Sequence, residues 1–317
     1  MEPVRINGKA TTMKSLKRKE AIKRIRESRY LYLLLALPII YFVVFKYGAM
    51  LWLVIGFMDY NAFKGILGSP WIGLENFVKF ITDPYFWSIL KNTLVLNLWM
   101  IVFYFPFPII LALAINDVKN KTFKKFTQSV TYLPYFLSTV VVCGFIVDIL
   151  AADGLINQII SALGMEKVVF LSEAGWFRPI YVMSELWQGA GWGSIIYLAA
   201  LSGIDVQLYE AAVIDGAGKW KQLWKISLPC ISHVISIQFL LTIGKLLTTG
   251  YEKIILLYTG ATYSTADVLS TYLYRRGLLG ADYSYGAAVS IFQAVVSLIL
   301  VYLANKGAKK IGSTSLW

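Results

Sequence analysis

Long apolar runs separated by short polar connections set the pattern of this chain. Six runs reach the roughly 20 residues needed to cross hydrocarbon: Tyr30 to Phe57, Trp87 to Asn116, Phe126 to Leu150, Phe177 to Leu201, His233 to Tyr258 and Tyr285 to Ala304. Backbone amides in lipid must find partners within their own segment, so runs of this length are helices. The pattern therefore predicts an all-α polytopic membrane protein with six transmembrane helices. The first run follows 29 charge-rich residues, contains Pro38 and lacks a small-x-small cleavage site, so it is read as a retained helix and not a signal peptide.

Composition agrees. Hydrophobic residues make up 57% of the 317, charged residues only 15%, and mean hydropathy is +0.62, whereas a soluble domain carries about 25% charge. The net charge of +12 does not signal nucleic acid, because the cations cluster in alternate connections. The N-terminal arm holds Arg5, Lys9, Lys14, Lys17, Arg18, Lys19, Lys23, Arg24, Arg26 and Arg29. Lys119, Lys121, Lys124 and Lys125 follow the second run, Lys219, Lys221 and Lys225 the fourth, and Lys306, Lys309 and Lys310 the sixth. The other connections hold only Lys64, Lys79, Lys167, Arg275 and Arg276, with acids between them. By the positive-inside rule both termini are cytoplasmic, and the basic arm reads as a solvated tail in contact with anionic lipid.

The connection between the fourth and fifth runs, residues 202–229, carries the most information. Glu210-Ala211-Ala212 favours a helix, Asp215, Gly216 and Gly218 supply a turn, and Lys219 to Ser227 read as a second, amphipathic helix ended by Pro229. Glu210-Ala211-Ala212, Gly216 after three residues, Ile226 after nine more, and then Leu228-Pro229 fill every fixed position of a known signature. In these residues the chain resembles the permease subunits of type I ABC importers. Trp192 to Leu201 and Ile214-Asp215-Gly216-Ala217 resemble the carbohydrate branch. Gly68 to Phe77, Thr265 to Tyr272 and Leu316-Trp317 resemble oligosaccharide and polysaccharide permeases.

The resemblance implies an organisation: an arm at 1–29, an extra helix at 30–57, an external connection at 58–86, a permease core at 87–304 and a cytoplasmic tail at 305–317. It implies that the loop is a coupling helix seated in a cytoplasmic ATPase, with Glu210, Ala211, Ala212, Asp215, Gly216, Ala217, Leu228 and Pro229 as its docking and turning residues. It further implies a bacterial inner-membrane location, a second homologous permease, an ATP-binding cassette ATPase dimer that binds ATP and Mg, and an extracytoplasmic sugar-binding protein. This chain has no Gly-x-x-x-x-Gly-Lys-Ser/Thr loop, so no cofactor is assigned to it and hydrolysis falls to a partner. An ion-coupled secondary sugar transporter would instead carry an internal repeat and no coupling loop, and a non-transporting membrane receptor or assembly factor would carry a recognisable signalling domain.

No catalytic constellation competes with this. His233 has no Ser or Cys partner, Asp148 and Asp153 read as solvated edge positions, Cys143 and Cys230 read as packing residues, and no metal-ligand spacing is present. Gly189, Gly191 and Gly193 suit close helix packing. Polar residues within the runs are candidates for a substrate path: Glu185, Trp187, Gln188 and Trp192 in the fourth, and Lys245, Thr248, Thr249 and Glu252 in the fifth. Read as one helix, the last four share a face. Lys245, about twelve residues into its run, is either neutralised by Glu185 or Glu252 or free to attract a substrate carboxylate, as a uronate oligomer from alginate or pectin would offer.

Overall fold

A computed structural model describes residues 4–6, 9–11, 23, 27–248 and 250–310. The chain divides into two compact units, Met1–Val54 and Ile55–Trp317. In the first, strands β1 (Val4–Ile6) and β2 (Lys9–Thr11) pair antiparallel. The apolar helical run α1 (Arg29–Phe57) begins there, and its apolar window has no buried residue. A helix apolar on every side is what lipid selects.

The second unit is helical throughout its principal described elements. These are α2 (Glu75–Ile81), α3 (Phe86–Asp117), α4 (Lys121–Tyr132), α5 (Thr139–Leu150), α6 (Leu155–Ala162), α7 (Ala174–Ser202) and α8 (Val206–Ile214). They are followed by α9 (Lys219–Gly244), α10 (Tyr251–Leu257), α11 (Leu269–Leu273) and α12 (Tyr283–Lys310). Among the described residues, five helical runs are long and apolar enough to cross a membrane, or six when α7 and α8 are taken together across their 70° bend. The all-α fold predicted from the apolar runs is thus present.

Two of the six predicted spans are interrupted. The third, Phe126 to Leu150, is α4 and α5 separated by a tight turn at Leu133–Phe136. Pro134 has no amide hydrogen to continue the α4 ladder, and Ser138 restarts the chain by accepting the Val141 amide. The fifth, His233 to Tyr258, stops at Gly244 and resumes at Tyr251, with Lys245 as the C-cap. Lys245, Thr248 and Glu252 therefore do not share a helical face, and Lys245 is not a mid-helix residue. Pro229 is also reassigned: it does not end a helix but lies within α9, where a wide turn at Leu223–Ser227 accommodates its ring.

Packing is local to three clusters, as expected when lipid covers the remaining apolar surface. One joins α3, α5, α7 and α10 through Leu96, Cys143, Tyr181 and Ile254. A second joins α2, the start of α3, α11 and α12 through Phe80, Ile89, Tyr272 and Tyr285. A third joins the later turns of α3, α7 and α9 through Ala112, Tyr197 and Ile231. Cys143 is buried as read, whereas Cys230 is exposed and is not a core residue. The glycines of α7 work as close-packing positions: a Cβ at Gly189 would lie 2.7 Å from the Tyr104 hydroxyl and one at Gly193 3.2 Å from Pro108.

Candidate functional site: a central cavity and a protruding helical loop

Both helix breaks open onto one cavity of about 1280 Å³. Tyr135, Leu137 and Ser138 reach it from the α4–α5 break, and Lys245, Thr248 and Tyr251 from the α9–α10 break. α7 forms the facing wall with Glu185, Gln188 and Trp192. Broken helices are tolerated at membrane depth where they line a polar cavity, because the freed backbone groups find partners there. Gln188 Nε2 donates to the Leu137 carbonyl at 3.1 Å, which satisfies one such group. Tyr135 stacks on Trp192 with ring centroids 4.6 Å apart and planes 4° from parallel.

The candidate path residues are thus mostly brought together: Glu185, Gln188, Trp192, Lys245, Thr248 and Glu252 line the cavity. Trp187 does not line it and is exposed elsewhere on α7, because one residue's rotation on a helix turns it about 100° from Gln188. Thr249 lies outside the described residues. Lys245 is exposed, and no carboxylate among the described residues is within 4.0 Å of it. Sequence reasoning missed Lys253. It is buried, and its Nζ lies 2.7 Å from Glu185 Oε1, so Glu185 neutralises Lys253 and not Lys245. The two-residue Glu252-Lys253 step following Gly250 could have indicated that the helix restarts there in a new phase.

The loop at 202–229 has a defined geometry. Asp205 caps α8 by accepting the Gln207 amide at 2.9 Å. At the other end Gly216 has φ +72°, the Ala217 amide donates to the Ala212 carbonyl at 2.8 Å, and the Gly216 amide to the Val213 carbonyl at 3.0 Å. This is the paired bonding of a Schellman end, which needs a left-handed residue at its fourth position after Ala212. It gives the Ala212 to Gly216 spacing a physical reason. Tyr209 and Ser227 hydroxyls meet at 2.9 Å, joining α8 to α9, and Lys219 pairs with Asp117 at the end of α3. Glu210, Ala211, Asp215, Gly216 and Pro229 are exposed, while Ala212, Ala217 and Leu228 are partly buried. Val213, Ile214, Trp220 and Trp224 stand exposed beside them, an apolar patch rimmed by charge of the kind that marks a protein interface.

Away from the cavity and outside the long spans, Arg275 forms a two-pronged bond to Asp267 at 3.1 and 2.7 Å. The Asp267 carboxylate raises the Arg275 pKa further above its ordinary value. Asp83 accepts from the Tyr272 hydroxyl at 2.6 Å and from Arg276 at 2.7 Å. Burial pushes the Asp83 carboxyl up, but these bonds, the Tyr85 amide and the Arg276 charge outweigh it and hold its pKa below the usual value. The Arg275–Asp267 pair braces the 259–282 segment internally, and the Asp83 bonds to Tyr272 and Arg276 fasten it to the connection between α2 and α3.

A helical membrane subunit with broken spans around a polar cavity, and a capped helical knob projecting from one side, defines a transport permease. The chain belongs to the family of binding-protein-dependent transport system inner membrane components, whose model matches residues 105–309. It is an ABC importer permease of the carbohydrate branch, and not an ion-coupled secondary transporter. The polygalacturonan/rhamnogalacturonan transport system permease protein YteP of Bacillus subtilis (strain 168) is 45% identical, over 97% of this chain and 96% of that protein. LplB of the same organism is 40% identical over 92% of each. A crystal structure of a bacterial ABC transporter involved in the import of the acidic polysaccharide alginate contains a chain that is 42% identical. Its TM-score is 0.84, covering 92% of this chain and 99% of that one.

Proposed function

We propose that this subunit forms one half of the path by which an acidic, uronate-containing oligosaccharide crosses the cytoplasmic membrane. The observation that carries the reading is Lys245, an unpaired ammonium among the described residues, placed at a helix break and facing a cavity large enough for several sugar rings. An ammonium at membrane depth costs several kcal/mol unless it has a partner, and a substrate carboxylate supplies one. Trp192 and Tyr135 offer ring faces for stacking, and Gln188 and Thr248 offer hydrogen-bonding groups, which suits a saccharide. The named substrates of the relatives, polygalacturonan, rhamnogalacturonan and alginate, support the same class.

In this reading a second permease completes the path, and a periplasmic or extracellular binding protein delivers the sugar; one of the similar solved structures is a complex with such a protein carrying alginate pentasaccharide. A separate ATPase dimer binds ATP and Mg and grips the 202–229 loop from the cytoplasm, where both termini also lie. Residues 30–57 form an extra helix ahead of the 87–304 core. The arm before Arg29, apart from its short described pieces, and the tail after Lys310 lie outside the described residues. Replacing Lys245 by Met tests the reading: ATP-dependent uptake of a uronate oligomer falls at least tenfold while the protein inserts normally. Unchanged uptake contradicts it.

A further inference from the structure

The cavity contains a second ammonium whose carboxylate partner belongs to the protein itself. Lys253 is 5% exposed, yet it reaches the cavity lining beside Glu185 and Glu252. Its Nζ lies 2.7 Å from Glu185 Oε1 but has no directed hydrogen bond among the described residues. An ammonium has three donors, and a desolvated one normally uses them all. Glu185 differs from Lys253 in its surroundings: about a quarter of its side chain, 26%, is exposed, and it stands on the α7 wall with room to swing into the cavity.

We infer that Lys253 is a specificity-determining residue that binds a carboxylate of the translocating saccharide, with Glu185 as its resting counter-ion. This rests on the reading of the path as one for an acidic saccharide. When the sugar carboxylate reaches Lys253, Glu185 rotates into the wet cavity, and the ammonium exchanges one carboxylate for another. The resting pair keeps Lys253 from being stranded as a lone buried charge, which a membrane protein tolerates poorly. The exchange also sets the selectivity: a neutral sugar offers nothing to replace Glu185 and leaves the α7 to α10 ion pair shut. Lys245, at the other end of the break, meets the same polymer without displacing any protein group.

The test is binding of trigalacturonate, and of its fully methyl-esterified and hence neutral form, to the detergent-solubilised importer with its partner permease and ATPase but without the binding protein. Glu185→Gln removes the competitor, so trigalacturonate binds about tenfold tighter while the ester is unaffected. The double variant Glu185→Gln/Lys253→Met leaves no lone charge and folds as the native pair does. It loses the preference for acid over ester by tenfold or more. A double variant that keeps the native preference and affinity shows the pair to be a structural staple and overturns the inference, as does a Glu185→Gln variant with native affinity for both ligands. A native importer that does not distinguish acid from ester overturns the acidic-substrate reading itself, and this inference with it.

Discussion

Gly191 of α7 lies so close to the backbone of α4 that a Cβ at position 191 would stand 1.9 Å from the Thr131 carbonyl oxygen. That contact is backbone against backbone, so no side-chain rotation can relieve it. It seats the facing wall of the cavity on the half-span that precedes the Leu133–Phe136 turn. Gly191→Ala forces the two helices apart and costs about 1–3 kcal/mol by overpacking. The expected outcome is a drop of several degrees in the melting temperature of the solubilised protein, larger than for Gly175→Ala, where a Cβ meets nothing within 4 Å. Equal melting temperatures would mean that α4 and α7 are not in this contact.

Gly216 occupies the left-handed region at φ +72°, with nothing within 4 Å of where a methyl group would stand, so conformation and not crowding selects glycine there. Any L residue costs about 1–2 kcal/mol in that region, a β-branched one more. Gly216→Val opens the Schellman end and swings Glu210 and Ala211 away from their presentation. The full importer carrying it should assemble in the membrane yet hydrolyse ATP without accumulating sugar, and Glu210→Lys should do the same by charge. Gly218→Ala, at an ordinary φ of −67°, should couple normally. ATP turnover per sugar imported is the measurement: it should rise for Gly216→Val and Glu210→Lys and stay native for Gly218→Ala.

Asp83 makes stability depend on pH with a definite sign. Its carboxyl is held below the ordinary 3.8, so the folded state favours the charged form. The contribution is complete above the unfolded value and is lost as pH falls through the lower folded value. Asp83→Asn should therefore cost about 2 kcal/mol, the worth of hydrogen bonds to a charged group, at pH 7 and at pH 5 alike. The gap between variant and native should narrow below about pH 4. Thermal melts across this range check it; a gap that widens on acidification would contradict the network around Tyr272 and Arg276.

The orientation rests on cation placement and has its own check. A cysteine at Lys221 should react with an impermeant maleimide only from the cytoplasmic side, and one at Lys64 or Lys167 only from outside. Labelling in the reverse sense would contradict the orientation read from the cations and place the 202–229 loop on the outer side.

The all-α class and the helix–turn shape of the 202–229 loop were legible because each depends on local rules: apolar length for the helices, and a capped helix followed by a left-handed glycine for Ala212 to Gly216. The two broken spans were not legible from apolarity, since Leu246 and Leu247 keep the fifth run hydrophobic through its break and Tyr135 to Leu137 do the same for the third. Periodicity carried across the Lys245–Gly250 break put Glu252 on a shared face and overlooked Lys253. The Glu185 to Lys253 pair joins residues on separate helices, which a single sequence does not bring together. Pro134, and Gly244 with Gly250, were the available signals of interruption. Pro229 worked in the other direction: inside α9, just after the wide turn at Leu223–Ser227 that makes room for its ring, it ends nothing.

ATP-driven import of an acidic saccharide through this subunit is decided by uptake into vesicles containing the native importer, its binding protein and internal ATP. Trigalacturonate is compared there with its methyl-esterified neutral counterpart. ATP-dependent accumulation of the acid at least tenfold above the ester is the expected result; accumulation of the two at equal rates, or of the acid without ATP, would contradict it.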